Sequence, residues 1–305
     1  MRFLSLLLAS VLSVGALRAE SSIIVDNQTG RILEGVNRDQ KLPIASLTKI
    51  ALAMVALDWA DLKQGNLDEK ATVPETAIAS AGGVNPLGFQ AGDVLTLRDL
   101  LFACLLASDN VAAVTLADHL GQVLPNPSGL DPVGDTVSQM NALARQLGMR
   151  HTLFLNPHGL DVPEGQARPF SSAADLARLT RYAYSKSGLS FYVSQATREI
   201  HVQRGTANLS VQLNNTNKLL GTDNIDGVKT GRTTLAGDCI VLSSEHTPEV
   251  NRQGDTVFTT PRRIIVVLLG STNREQEGLA LVRHGWALYD DWAAKGRSAK
   301  ASNSL

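Results

Sequence analysis

The sequence is poor in cysteine and has no excess of charge of either sign, and both features exclude classes of protein. Two cysteines among 305 residues exclude a disulfide-dense scaffold and a zinc site of the CxxC…CxxC kind. Lysine and arginine total 28 against 29 acidic residues, so the formal net charge is -1. Nucleic acid is therefore not the expected partner, because phosphate binding needs a basic excess. The histidines are scattered, and His151 and His158 do not have a recognised metal-binding spacing.

Long apolar runs are also scarce, and the one that stands out lies at the N-terminus. Residues 3–17 are almost wholly apolar, follow Met1-Arg2, and end near the small residues Ala16 and Ala19. This pattern predicts a signal peptide over residues 1–19 and a secreted, periplasmic product. A retained anchor is the alternative, but the run is short for a membrane span. The next apolar run, residues 50–57, fits a buried helix, so no stable membrane anchor is expected.

The rest of the sequence has the composition of a globular protein, with 44% hydrophobic and 19% charged residues. Export would permit a disulfide between Cys104 and Cys239, although their apolar surroundings fit two buried free thiols at least as well. The tail, residues 293–305, is polar and is expected to be mobile.

Hydrophobic periodicity predicts strands towards both ends of the chain and helices between them. A turn signal at residues 27–30 separates two short strands, which indicates a hairpin. The predicted helices cover residues 46–61, 96–107, 109–120, 135–147, 172–186 and 275–292, and the later strands 197–202, 209–213, 239–243 and 264–269. We therefore predict an α+β domain over residues 20–292. Its sheet is formed by both ends of the chain, and a helical insertion covers about residues 60–200.

The first candidate motif for chemistry is Ser46-Leu47-Thr48-Lys49, at the start of an apolar helix. Residues i and i+3 share a helical face, so the Lys49 amine can reach the Ser46 hydroxyl. A buried lysine with a lowered pKa can activate a serine nucleophile. The alternative, a capping serine and a solvated lysine, fits poorly because an unbroken apolar stretch follows Lys49 at once.

Two further motifs are weak alone. Ser108-Asp109-Asn110 lies between two predicted helices, where a hydroxyl and an amide could serve a proton relay, but taken alone the motif is better explained as an ordinary helix cap. Lys229-Thr230-Gly231 precedes a predicted strand and offers a positive charge, a hydroxyl and close backbone approach to an anionic ligand. An ordinary turn is the alternative there.

The three motifs together resemble those of penicillin-binding proteins and class A β-lactamases. The sequence is most similar to the low-molecular-mass penicillin-binding proteins, the serine D-alanyl-D-alanine carboxypeptidase and endopeptidase family. Further stretches carry the same resemblance over most of residues 21–292: residues 43–50, 152–160, 172–177 and 215–220, and Arg274 with Gly285 and Trp286. The resemblance implies a penicillin-binding-protein/β-lactamase-like transpeptidase fold, with an antiparallel sheet flanked by helices and a helical subdomain.

The resemblance also implies roles for individual residues. Ser46 would be the acylated nucleophile, Lys49 its base, Ser108 a proton relay and Asn110 a substrate-orienting group. Lys229, Thr230, Gly231, Arg232 and Arg274 would bind substrate around its terminal carboxylate, and the N–H groups of Ser46 and Arg232 would form the oxyanion hole. The expected substrates are peptidoglycan stem peptides, with β-lactam antibiotics as acylating inhibitors and no cofactor or metal.

Departures from the family pattern leave alternatives open. Arg232 stands where relatives often carry an aromatic residue or histidine, and Ser171-Ser172 precede Ala173 where His-x-Ser-Thr is common. The β-rich domain and amphipathic C-terminal anchor of many relatives are not visible. We expect a carboxypeptidase, with an endopeptidase as the alternative. A β-lactamase is disfavoured because Glu164 lacks the E-x-x-L-N context, and a non-catalytic wall-binding protein because Ser46 and Lys49 are both present.

Overall fold

The computed structural model describes residues 19–63, 66–124, 129–186, 188–297 and 304–305. The predicted signal peptide therefore lies, apart from Ala19, outside the described residues. The helices are α1 Thr48–Lys63, α2 Glu75–Ser80, α3 Leu97–Phe102, α4 Asn110–Val123, α5 Pro132–Gln146, α6 Ala173–Ser185, α7 Leu189–Val193 and α8 Arg274–Ala294. The strands are β1 Ser21–Asp26, β2 Ile32–Val36, β3 Lys70–Thr72, β4 Val94–Thr96, β5 Thr197–Arg204, β6 Ala207–Asn214, β7 Ile225–Thr233, β8 Gly237–Gln253 and β9 Thr256–Ser271.

The main sheet joins the two ends of the chain, as the sequence predicts. Its five strands run in the order β2-β1-β9-β8-β7, and every neighbouring pair is antiparallel. Strand β1 pairs with β9 in continuous register from Ser21 opposite Leu269 to Asp26 opposite Ile264. Strand β7, which carries the third motif, is therefore an edge strand with one side unpaired within this sheet.

Both faces of the main sheet are covered, which explains why its central strands are continuous apolar runs rather than alternating ones. Val25, Ile265 and Val267 point into the large core beneath the helices α1, α4 and α6. Ile24 and Val266 point to the opposite face, where they pack on α8. The aromatic residues of α8 that share this second core are Trp286, Tyr289 and Trp292.

The long middle section of the chain contains α2 to α7 but is not wholly helical. Strands β3, β4, β5 and β6 form a second, four-stranded antiparallel sheet. The sequence predicts β5 and β6, whereas β3 and β4 are only three residues each and give no periodic signal. Asp131 caps α5 by accepting a hydrogen bond from the Gly134 N–H, so this helix begins at Pro132, three residues before its predicted start.

The largest differences from the predicted elements lie in β8 and β9. Beyond their buried parts these two strands continue as a polar, largely exposed hairpin over residues 245–263, which the apolar runs could not indicate. The mobility of the tail stays a prediction, and its described residues make three contacts with the rest of the chain. Arg297 pairs with Glu249, Ser304 bridges Arg31, and the Leu305 N–H donates to the Gly30 carbonyl.

Cys104 and Cys239 are both buried free thiols. Within the part of the chain that the structure describes, no helix combines the length and apolar character needed to cross a membrane.

Candidate active site

The predicted nucleophile, Ser46, lies on a single 3₁₀ turn, Ala45–Leu47, that leads directly into α1. Ala45 has a left-handed φ of 48°, which is uncommon for a residue with a side chain. Two glycines allow the surrounding backbone to approach this turn. A Cβ atom would lie 1.9 Å from the Ala45 carbonyl oxygen if built at Gly159, and 2.9 Å from the Ser46 amide nitrogen if built at Gly231. The serine is therefore held between a loop and strand β7.

Lys49 lies one helical turn further on and has no exposed surface. Its Nζ atom donates hydrogen bonds to Ser46 Oγ at 2.9 Å, Asn110 Oδ1 at 2.7 Å and the His158 carbonyl oxygen at 3.0 Å. Burial lowers the pKa of Lys49 to about 8, although Cys104 and Asp109 act in the opposite direction. An amine with this pKa is partly deprotonated at neutral pH, and its neutral form can accept a proton from a hydroxyl.

The second motif combines a structural role with a place at the site. Ser108 is half-buried and left-handed, with φ 60°, between the π-helical turn Ala103–Ala107 and α4. Asp109 is the cap of α4, as the alternative interpretation proposed, because its side chain accepts from the Ala112 N–H. Burial raises the pKa of the Asp109 carboxyl to about 6, against the hydrogen bonds from Ala112 and Leu87 that lower it.

Asn110 connects Lys49 to a neighbouring loop. Its Oδ1 accepts from Lys49, and its Nδ2 donates to the Ala81 carbonyl at 3.1 Å. Its main-chain N–H donates to the Val84 carbonyl. The amide is thus oriented by partners on both sides, with its oxygen towards the lysine.

The third motif lies on strand β7. Lys229 is 1% exposed, and its Nζ donates to the Thr230 carbonyl oxygen at 2.9 Å. Burial holds the pKa of Lys229 well below its ordinary value, and the positive charges of Lys49 and Arg274 lower it further. The Thr230 hydroxyl donates to Thr216 Oγ1 at 2.8 Å. This cluster of positive charge and hydroxyl groups suits an anionic ligand.

The two arginines predicted for the site are placed differently. Arg274, at the start of α8, donates to the Gly231 carbonyl at 3.0 Å and lies 3.4 Å from Asp238 Oδ1, so it supports the backbone of β7. The side chain of Arg232 is 76% exposed and lies 3.6 Å from Asp238. The structure brings Ser46, Lys49 and Asn110 into direct contact, and β7 against them, but leaves the Arg232 guanidinium facing solvent.

Three residues outside the predicted site residues, His158, Asp161 and Thr216, make contacts at the site. The His158 carbonyl binds Lys49, and Asp161 accepts from Thr233 Oγ1 at 2.9 Å and from the Leu235 N–H at 3.1 Å. Thr216 contacts Thr230. The stretches that include His158 and Thr216 were singled out as family-like, but main-chain acceptors and hydroxyl pairs leave no residue-type signal of their own.

The other titratable residues considered in the sequence remain outside the chemistry. The His158 ring is buried, and burial followed by the charge of Lys49 lowers its pKa to about 4, so it is a structural, neutral histidine. Glu164 is exposed, as expected for a loop acid. No group of three or more metal-ligating side chains occurs among the described residues.

Comparison with protein families gives one match over most of the chain. Residues 9–251 match the family model described as peptidase S11, D-alanyl-D-alanine carboxypeptidase. Among curated proteins, the chain is 30% identical over 228 residues to D-alanyl-D-alanine carboxypeptidase DacF of Bacillus subtilis, covering 74% of this chain and 54% of that protein. It is 33% identical over 228 residues to D-alanyl-D-alanine endopeptidase of Pseudomonas aeruginosa, covering 74% and 67%. The chain thus spans between about half and two thirds of these relatives.

Two solved structures share the fold over nearly their whole length. The Streptomyces K15 DD-transpeptidase superposes with a TM-score of 0.75 at 26% identity, covering 89% of this chain and 98% of that one. Penicillin-binding protein D2 from Listeria monocytogenes in its cefotaxime-bound form superposes with a TM-score of 0.67 at 27% identity, covering 88% and 97%. The predicted fold class is confirmed by these likenesses.

Proposed function

Because the chain belongs to the D-alanyl-D-alanine carboxypeptidase family, peptidase S11, we propose that it is a serine D-alanyl-D-alanine carboxypeptidase. It removes the terminal D-Ala from peptidoglycan stem peptides through an acyl-serine intermediate. The observation that carries this proposal is the contact of a fully buried lysine, Lys49, with both the Ser46 hydroxyl and the Asn110 amide. This arrangement supplies a nucleophile, a base and an orienting group within hydrogen-bonding distance.

Acylation begins when neutral Lys49 takes the proton of Ser46 Oγ. The oxygen attacks the carbonyl carbon of the penultimate D-Ala, forming a tetrahedral oxyanion. The N–H groups of Ser46 and Arg232 stabilise that oxyanion, an assignment supported by the close approach of β7 to Ser46 at Gly231. The C–N bond then breaks, the proton passes through Lys49 and Ser108 to the leaving amine, and D-Ala departs.

The leaving residue carries a carboxylate, and the third motif binds it. Lys229 supplies positive charge and Thr230 a hydroxyl at the same strand edge. Arg274 acts indirectly, because it donates a hydrogen bond to the Gly231 carbonyl. Water then attacks the acyl-serine ester, Lys49 accepts its proton, and Ser46 is released with the shortened peptide. Because Gly231 has no side chain, the backbone of Ser46 can approach strand β7. The exposed Arg232 side chain can contact more distant parts of a substrate.

A DD-endopeptidase is the second candidate, because relatives of both names match this chain at similar identity. The endopeptidase of Pseudomonas aeruginosa is 33% identical and the carboxypeptidase DacF of Bacillus subtilis 30%. Both reactions cleave a bond between two D-centres and release a carboxylate-bearing residue, so the same machinery serves either. The two differ in what the cleft admits beyond that residue.

We extend the proposal to inhibitors and compartment. β-Lactams acylate Ser46, since a relative of the same fold exists in a cefotaxime-bound form. The protein acts in the periplasm on the cell wall, where its substrates are. The domain is residues 20–292, and residues 1–19 are the signal peptide.

The experiment that tests the proposal incubates the purified protein with intact muropeptides and identifies the products by mass. Release of D-Ala from pentapeptide stems alone supports the carboxypeptidase. Splitting of cross-linked dimers supports the endopeptidase. The Ser46→Ala protein, which keeps every other contact of the site, is the matched control and should release neither product. Release of neither product by the wild-type protein would overturn both candidates.

A further inference from the structure

The connection between β6 and β7 is held in place on both sides of one threonine, Thr216. Before it, Asn215 Nδ2 donates to the carbonyl oxygens of Val193 at 3.1 Å and Gln195 at 2.9 Å. After it, Asn217 Nδ2 donates to the Gly227 carbonyl at 3.1 Å. Asn215 and Asn217 thus fix this short segment to α7 and to β7, and the position of Thr216 between them follows.

Thr216 contacts both the segment that precedes the second motif and a residue of the third motif. Its N–H donates to the Leu106 carbonyl at 3.0 Å, two residues before Ser108. Its Oγ1 atom lies 2.8 Å from Thr230 Oγ1, beside Lys229. One residue therefore sets the spacing between the segment that ends at Ser108 and the strand that binds the carboxylate.

The hydroxyl pair has a consequence for which atom can donate to a ligand. A threonine hydroxyl has one hydrogen to donate and two lone pairs that accept. In the structure Thr230 gives its hydrogen to Thr216. In that state Thr230 cannot donate to a carboxylate, which only accepts. Thr230 must turn its hydrogen away from Thr216 before it can donate to an anion, and Thr216 can then donate to Thr230 in return.

We propose that Thr216 is a positioning residue that orients the Thr230 hydroxyl towards the carboxylate of the substrate. When the anion binds, the Thr216 hydroxyl donates to Thr230 Oγ1, and the Thr230 hydrogen turns to the carboxylate oxygen. No proton leaves either residue, because both hydroxyls only rotate. This inference rests on the proposed function, since it concerns recognition of the carboxylate at the same site, and it makes Thr216 a determinant of preference for anionic over neutral ligands.

The test compares acylation by a β-lactam with acylation by the methyl ester of the same compound, followed as adduct mass against time. The wild-type protein should react faster with the free acid. Thr216→Val has nearly the same shape and keeps the main-chain bond to Leu106, but cannot donate to Thr230. It should slow acylation by the acid about tenfold and change the ester rate less than twofold, because hydrogen bonds to charged groups are the stronger ones. Thr216→Ser should restore the acid preference.

Two further variants distinguish the positioning role from a merely structural effect. Thr259→Val, on the exposed hairpin, is the matched control and should leave both rates unchanged. In Thr230→Val the acid preference should already be reduced, and adding Thr216→Val should have no further effect. If Thr216→Val does not fold, Thr216→Ala takes its place in the same comparison of single and double variants.

Each outcome has a distinct meaning. If wild type reacts and its acid preference survives in Thr216→Val, or if both rates fall together, the positioning role is wrong and the proposed function stands. If the wild-type protein reacts with neither compound, the proposed function fails, and the inference fails with it.

Discussion

Two lysines are buried at one site, and their surroundings differ. Lys49 is surrounded by acceptors: a hydroxyl, an amide oxygen and a carbonyl. Lys229 has the Thr230 carbonyl as its hydrogen-bonded acceptor among the described residues. Neither takes part in an ion pair with a carboxylate in the part of the chain that the structure describes. Burial lowers the pKa of both.

The difference shows how the same residue type can serve two purposes. The acceptors around Lys49 fix its amine against the nucleophile, so its lowered pKa is useful for moving a proton. Lys229 retains unused donors on an edge strand, which suits it to an incoming anion. The comparison predicts that changes at Lys49 act on the chemical step and changes at Lys229 on recognition.

The largest effect is expected from Lys49→Met. Without a base, acylation by a β-lactam should fall at least about a thousandfold. Burying the charged lysine costs free energy, but its removal leaves the Asn110 and His158 oxygens without their donor, so these opposing effects should shift the Tm by only a few degrees. Acylation rates and thermal melts measured on the same preparation check this. A residual rate within tenfold of wild type would show that another group acts as the base.

Lys229→Ala should have a smaller and more selective effect. Acylation by a carboxylate-bearing β-lactam should fall about ten- to a hundredfold, and acylation by its methyl ester far less, because only the former presents a charge to the lysine. The paired rates, with Tm as a stability measure, separate recognition from folding. A Tm that falls in step with both rates would make Lys229 a structural residue.

The pH dependence should separate the two lysines in the same way. Lys49 accepts a proton only when neutral, and its pKa is about 8, so acylation should rise about tenfold per pH unit below pH 8 and level off above it. The charge of Lys229 is lost as pH rises, which weakens anion binding in the opposite direction. In Lys229→Ala the rising limb should remain and the preference for the acid over the ester should no longer depend on pH. Acylation rates of both compounds between pH 5 and 10 provide the measurement. A flat wild-type profile would contradict the role of Lys49.

The smallest effect is expected at Asp161, which contacts neither lysine. Its carboxylate joins the loop carrying His158 to the turn after β7 through Thr233 and Leu235. Asp161→Asn retains one acceptor and should slow acylation two- to fivefold, whereas Asp161→Ala should slow it about tenfold. Thr233→Val, which removes one partner, should resemble Asp161→Asn. Equal rates in all three proteins and wild type would show that this tether does not influence the site.

The sequence predicts the long buried helices and strands better than the short strands and the solvent-exposed hairpin. The joining of the two chain ends in one sheet and the existence of helix α8 follow from apolar runs and helical spacing, because burial leaves a periodic signal. The sequence did not predict strands β3 and β4 or the polar hairpin of β8 and β9. Three-residue strands and solvated strands bury too few side chains to produce a periodic hydrophobic pattern.

The same limit applies at the site. The pairing of Ser46 with Lys49 follows from helical spacing. The contact of Lys49 with Asn110 was not predicted, because the resemblance implied only that Asn110 orients the substrate. The roles of Gly159, Thr216 and Asp161 depend on backbone approach and on hydrogen bonds between segments distant in sequence. Nothing in residue type or spacing indicates those contacts.

The central claim is that Ser46 is the residue that becomes acylated. Its most direct test is to react the protein with a penicillin, weigh the intact adduct and locate it by peptide mapping. The account predicts one penicilloyl group per chain, on the peptide that contains Ser46, and none in Ser46→Ala. An adduct that persists in Ser46→Ala, or that maps to another peptide in the wild-type protein, would contradict it.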